Sequence, residues 1–235
     1  MSIIKDAKVY IAGYDLSGIH NEVSVNEPFE EVVGTRFGDT AKRTVAGLPT
    51  VTATGAGFVE GASLSPALRQ NLAVANVPIT IMNDAAGTAV EFFRAMIANY
   101  RTGAAYGQLL AFSWSASGQG EVLVPSLITV TGTKTTSGTS TPVQIGALST
   151  GEKLYAALHV LAKSGTSPTL DVTVQSDNGV GFASPAVQGT FPQMTNVGSQ
   201  WLTITGPITD DWWRASWTIG GTGSPSFDLV IVIGQ

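Results

Sequence analysis

From Leu154 to Ile233 the chain repeats one pattern, short apolar runs cut by Gly, Pro, Ser and Asn, and few folds accept it. Leu154 to Ala162, Leu170 to Gln175, Trp201 to Thr205, Trp213 to Ile219 and Phe227 to Ile233 all have strand length. Leu170, Val172 and Val174 alternate with polar residues, the period of a half-buried strand. No helical period is evident there. Strands of this length and spacing predict a β-sandwich, jelly-roll-like, over residues 142–235.

The first 130 residues read as a second β-rich module. Lys8 to Tyr14 is a short apolar strand, Val23 and Val25 alternate with polar residues, and Thr50 to Glu60 alternates around a Gly-Ala-Gly insertion. Between them Phe29 to Leu48 is polar, glycine-punctuated and too long for a tight turn, which predicts an extended arm or a long hairpin. One helix is expected from Thr88 to Tyr100. Thr88 and Glu91 have capping-box spacing, Phe92, Phe93, Met96, Ile97 and Tyr100 recur at helical intervals, and Gly103 supplies a stop. Its apolar stripe would pack on a sheet. Residues 131–141, rich in Thr, Ser and Gly, predict a linker or a polar hairpin tip between the modules.

Composition narrows the function classes. Charged residues are 12% of the chain, about half the usual share, while hydrophobic residues are 43%. No run approaches the roughly 18 apolar residues of a membrane-spanning helix, and Met1 to Gly13 lacks the apolar stretch of a signal peptide. Contact with other subunits is the simplest remaining use of so much neutral surface. The net charge of −5, without a basic run, speaks against gripping nucleic acid. The absence of cysteine removes disulfides and thiolate chemistry and fits folding in a reducing cytosol.

Candidate chemistry is sparse. His20 and His159 have no partners at the spacing of a metal site or a triad. Glu30-Glu31 and Asp210-Asp211 are adjacent, so on strands each pair points to opposite faces and reads as solvated charge. Asp177-Asn178-Gly179 reads as a turn, not as part of a calcium loop. Trp201, Trp212, Trp213 and Trp217 are the sharper feature, because tryptophans on a sandwich can stack on sugars. Trp213 and Trp217 share a strand face with Ala215 and read as core, which leaves Trp212 as the possible glycan contact. No cofactor, metal or catalytic residue is expected, and the chain reads as a non-enzyme.

Three stretches in order carry a family resemblance: AGYDLSG at Ala12 to Gly18, TRFGDTAKRTVAGLPTVTATGAGF at Thr35 to Phe58, and the region from Ala85 to Gly118. Together they resemble the major tail tube proteins of bacteriophages with long, non-contractile tails, over roughly residues 7 to 130. The stretch from Leu154 to Gly234 is similar to a C-terminal module that accompanies some of them. The resemblance implies a mainly β chain, with a tail-tube-like sandwich or barrel module carrying one α-helix, followed by the sandwich.

It also implies a structural virion protein, assembled in the host cytoplasm, whose copies form rings, commonly of six. The rings would stack around the tape measure protein, beside other tail proteins, into a tube that DNA traverses without specific binding. A membrane has no part in this reading. In that family a long loop reaches the adjacent ring, and here the arm matches it. Arg36, Phe37, Asp39, Lys42 and Arg43 are therefore the expected subunit contacts. A carbohydrate-binding or host-adhesion module using Trp212 is the alternative.

Overall fold

The computed structural model describes residues 7–38, 40–59, 64–83, 90–119 and 123–235, and in them the apolar runs lie in antiparallel strands. In the N-terminal half β1 (Lys8–Ile11) turns through Ala12 and Gly13 into the short β2 (Tyr14–Asp15). β3 (His20–Asn26) follows a 3₁₀ turn at Ser17–Ile19. β4 (Phe29–Val33) and β5 (Thr44–Pro49) form a separate two-stranded sheet. β6 (Thr52–Phe58), β7 (Val77–Met82), β8 (Val90–Gly103) and β9 (Ala111–Gly118) complete the main sheet of this half, ordered β3-β6-β9-β8-β7-β1-β2.

The helix expected from Thr88 to Tyr100 is not formed: Val90 to Tyr100 belongs to β8, and Thr88 lies outside the described residues. Two covered faces explain the misreading. Phe93, Ala95 and Ile97 point into the core of the N-terminal half, while Val90 and Phe92 point the other way into a second apolar layer. A strand buried on both sides loses its alternation, and pairs such as Phe92-Phe93 and Met96-Ile97 then imitate helical spacing. Besides the 3₁₀ turn, the described residues contain the short π-helical Ser65–Arg69, whose Ala67 and Leu68 are buried.

β10 (Val124–Lys134) joins the halves. Val124 and Pro125 pair with β8, whereas Ser126 to Lys134 pair with β16 (Trp212–Gly234). Beyond it the Thr/Ser/Gly stretch enters β11 (Gly138–Thr139) and continues to β12 (Val143–Gln144), both also on β16. The stretch is tied down along its length: Trp217 Nε1 donates to the Thr136 carbonyl at 3.0 Å, and the Ile219 amide donates to Ser137 Oγ at 3.0 Å.

The C-terminal half is built on one ribbon. β13 (Lys153–Asp177) and β16 pair antiparallel from Tyr155↔Gly234 to Asp177↔Trp212, with register shifts between Ser164 and Thr169. The ribbon folds over there. Gly165 has φ +98°, and a Cβ on it would lie 2.7 Å from Pro225 Cα, so the bend requires glycine at that position. Leu154, Leu158, Leu229 and Ile231 of one arm and Leu170, Val172, Ala215 and Trp217 of the other then face a single core. β14 (Ala186–Thr190) and β15 (Gly198–Thr205) extend the two layers. The expected β-sandwich over this region is thus observed, and the protein is mainly β throughout.

A third apolar layer lies between the halves. Tyr10, Met82, Phe92 and Val124 pack on Ala157, Val230 and Val232. The arm of β13 from Leu154 to Val160 is therefore covered on both faces, which is why it reads as an apolar run interrupted only by His159. Full burial of Phe92 in this layer stabilises the joint by about 1.5–3 kcal/mol.

Candidate assembly surface

The hairpin β4–β5 is held by the register Glu31↔Ala46, Val32↔Val45 and Val33↔Thr44, and by the Gly34 amide donating to the Arg43 carbonyl at 2.9 Å. At its base the Thr50 amide donates to the Pro28 carbonyl at 3.0 Å. Its apolar side chains point into solvent: Phe29 is 60% exposed, Val33 59% and Leu48 82%. Among the described residues no layer lies behind this two-stranded ribbon; such a ribbon is marginally stable in water, and its open edges and bare apolar groups favour a partner. The sequence expectation of an extended arm or long hairpin over Phe29 to Leu48 matches this element.

The expected contact residues cluster at its tip. Phe37 is fully exposed, and Arg36, Lys42 and Arg43 are exposed around it, while Asp39 lies outside the described residues. The Arg43 amide donates to Thr35 Oγ1 at 3.0 Å and helps close the tip. Sequence reading singled out the polar tip and missed the apolar stem, Phe29, Val32, Val33, Val45 and Leu48. The signal was the Val32-Val33 pair in a run with no alternation to bury it. A second bare apolar group, Tyr106, Leu109 and Leu110, lies between β8 and β9 and was also missed.

The tryptophans divide as the alternation predicts. Trp213 is completely buried, with Nε1 donating to the Gly146 carbonyl at 2.9 Å, and Trp217 is buried on the same face. Trp201 stacks at the joint, its ring 5.4 Å from Phe92 and 5.8 Å from Tyr155, with the Arg94 guanidinium 5.4 Å from its centroid. Trp212 is half-buried at the start of β16, paired with Asp177 on one side and Gln144 on the other.

Both histidines are structural. His20 Nδ1 lies 2.8 Å from the Leu16 carbonyl, and its Nε2 accepts a hydrogen bond from Trp114 Nε1 at 2.7 Å. Burial holds its pKa below the ordinary value, with the Leu16 hydrogen bond opposing. A cavity beside it is also lined by Ser17, and Asp15 accepts from the Ser17 hydroxyl. That order is not a triad: the carboxylate contacts the hydroxyl, and both imidazole nitrogens are already occupied. His159, wholly buried, accepts from the Gly13 amide on Nδ1 at 3.3 Å and meets Thr80 Oγ1 with Nε2 at 3.0 Å. With Nδ1 accepting, Nε2 carries the proton and donates to Thr80. Burial lowers its pKa to about 3.

Three aspartates singled out in the sequence have local partners. Asp177 accepts from the amides of Gly179 at 3.0 Å and Ser184 at 2.8 Å, the turn expected there. Asp210 accepts from Ser176 Oγ and Asp211 from Gln144 Nε2, each at 2.6 Å, so the adjacent pair diverges. No group of three or more His, Asp or Glu able to hold a metal ion occurs among the described residues.

No family model and no curated protein matches the chain. Among solved structures it is similar to a chain of the virion of a native gene transfer agent particle, at 11% identity and TM-score 0.46, over 54% of this chain and 99% of that one. It is similar to the Dit protein of phage SPP1, a hub protein of the adsorption apparatus, at 15% identity and TM-score 0.40, over 98% and 99%. It is also similar to the SPP1 tail tube protein, at 12% identity and TM-score 0.41, over 50% of this chain and 76% of that one.

Proposed function

We propose that the protein is a structural subunit of a phage tail, and that its copies close into rings and stack into the tube through which DNA is delivered. One observation supports this most: the hairpin β4–β5 holds Phe29, Val33, Phe37 and Leu48 in solvent, away from both cores of its own chain. Such a surface is stable when another copy covers it. The resemblance of the AGYDLSG and TRFGDTAKRTVAGLPTVTATGAGF stretches to tail tube proteins points the same way. In this reading residues 1–130 form the tube module and residues 142–235 are displayed outward. Rings of six surround the tape measure protein, assembly takes place in the host cytoplasm, and the chain performs no catalysis.

The net charge of −5 suits a conduit, since a lumen rich in Lys and Arg would hold DNA through its phosphates. Electron microscopy of the concentrated protein, alone and with its tail partners, tests the proposal. Rings and stacked tubes are the predicted products, and a chain that stays monomeric under all these conditions is not a tube subunit.

A second reading has one observation behind it. Trp212 is half-buried, unlike the buried Trp213 and Trp217, and could stack on a sugar of the host surface. Glycan-array binding that is lost in Trp212→Ala supports that role, and silence across the array removes it.

A further inference from the structure

The joint between the halves is apolar, with one buried imidazole in it. His159 of β13 reaches across it to the Gly13 amide in the β1–β2 turn and to Thr80 on β7. Gly13 lies so close to Gly198 at the start of β15 that a Cβ would fall 2.3 Å from the Gly198 carbonyl carbon. The two halves thus meet backbone to backbone beside the imidazole.

Both nitrogens of His159 have fixed roles. Nδ1 must accept, because the group facing it is an amide N–H. A proton on Nδ1 would set N–H against N–H and place a cation in an apolar layer. The elements packed around it offer little relief. β1 presents the Tyr10 ring, centroids 6.1 Å apart, β7 presents the Thr80 hydroxyl, and Ser199 of β15 and Val230 of β16 stand opposite in register. The charged residues of these elements and of β2 are Lys8, Asp15, Arg214 and Asp228. Asp15 and Asp228 act on the Tyr10 hydroxyl, pushed up to about 12 chiefly by burial, and neither bonds His159.

We propose that the joint is an acid-weakened latch: neutral His159 holds the C-terminal half on the AGYDLSG turn, and its protonation lowers the cost of separating the two halves while each keeps its own core. This is independent of the tube reading. Each half has its own core, and among the described residues the halves meet through the short β8–β10 pairing, the layer around Phe92 and Val232, and the contacts of His159 and Gly13. The low pKa of the closed state means that opening and protonation occur together, driven by an imidazole that returns to its ordinary range near 6.5 once exposed.

The chain has no cysteine, so Ser24→Cys and Ala183→Cys, both exposed, place one fluorophore on each half without competition. Energy transfer is followed from pH 8 to pH 3 beside far-ultraviolet circular dichroism. A reversible rise in separation at a pH where the β spectrum is intact is expected, and His159→Asn, whose oxygen can still accept from Gly13, should move that rise at least one pH unit lower. Equal opening in both proteins, or loss of the β spectrum in step with separation, would overturn the latch. If His159→Asn does not fold, nitrogen NMR of the native imidazole decides instead: protonation in step with separation supports the latch, and protonation with the halves still closed refutes it.

Discussion

Thr80 Oγ1 accepts a hydrogen bond from His159 Nε2 at 3.0 Å, across 79 positions of sequence, and this contact ties β7 to β13. Both residues are completely buried. Thr80→Val keeps the shape and removes the acceptor, leaving an imidazole N–H unpaired in an apolar layer. The expected loss is about 1–3 kcal/mol, read as a lower urea midpoint with unchanged m value.

Gly13→Ala should be costlier than an ordinary turn substitution. Gly13 has φ +84°, where side chains are strained, and the new methyl would collide with the Gly198 backbone. Strain and overpacking each contribute on the order of 1–3 kcal/mol. Thermal unfolding of Gly13→Ala beside Gly151→Ala, a turn glycine with φ +88° where a Cβ meets nothing within 4 Å, separates the effect of the close approach from that of the strained backbone.

Stability should fall in acid. His159 has a folded pKa of about 3 against an unfolded value near 6.5, so below pH 6.5 the unfolded chain binds a proton that the folded chain does not. Its contribution is intact above pH 6.5 and declines by about 1.4 kcal/mol per pH unit down to about pH 3. His20 is shifted in the same direction by burial and adds to the slope. Urea unfolding at pH 7, 6 and 5 measures it, and a flat profile would contradict the buried neutral imidazole.

The sandwich was readable because its arms alternate. Leu170, Val172 and Val174 have one face in the core and one toward water, which is the case sequence periodicity describes. β8 was misread for the opposite reason: a sheet strand with Phe93 in one core and Phe92 in another carries no period of two. The joint was invisible too, since a lone histidine in an apolar run gives no sign that its partners are Gly13 and Thr80. The arm was legible as an excursion from its glycines and charges, yet its apolar stem shows its significance only once the cores are seen to exclude it.

The tryptophans give a graded test of the core. Trp213→Ala should cost about 3–5 kcal/mol, because the ring is fully enclosed and its Nε1 has a partner. Trp212→Ala, half-buried on the other face, should cost well under half as much. Chemical denaturation of the two variants beside the wild type measures the difference, and equal losses would place Trp212 in the core.

The central claim is that the hairpin β4–β5 is the contact by which copies of the chain stack. Sedimentation velocity of the wild type and of a chain lacking residues 34–44, at matched high concentration, tests it directly. Large, fast-sedimenting assemblies are expected for the wild type and nothing beyond single rings or monomers for the shortened chain, with its β spectrum unchanged. Identical distributions of large assemblies from both chains would contradict it.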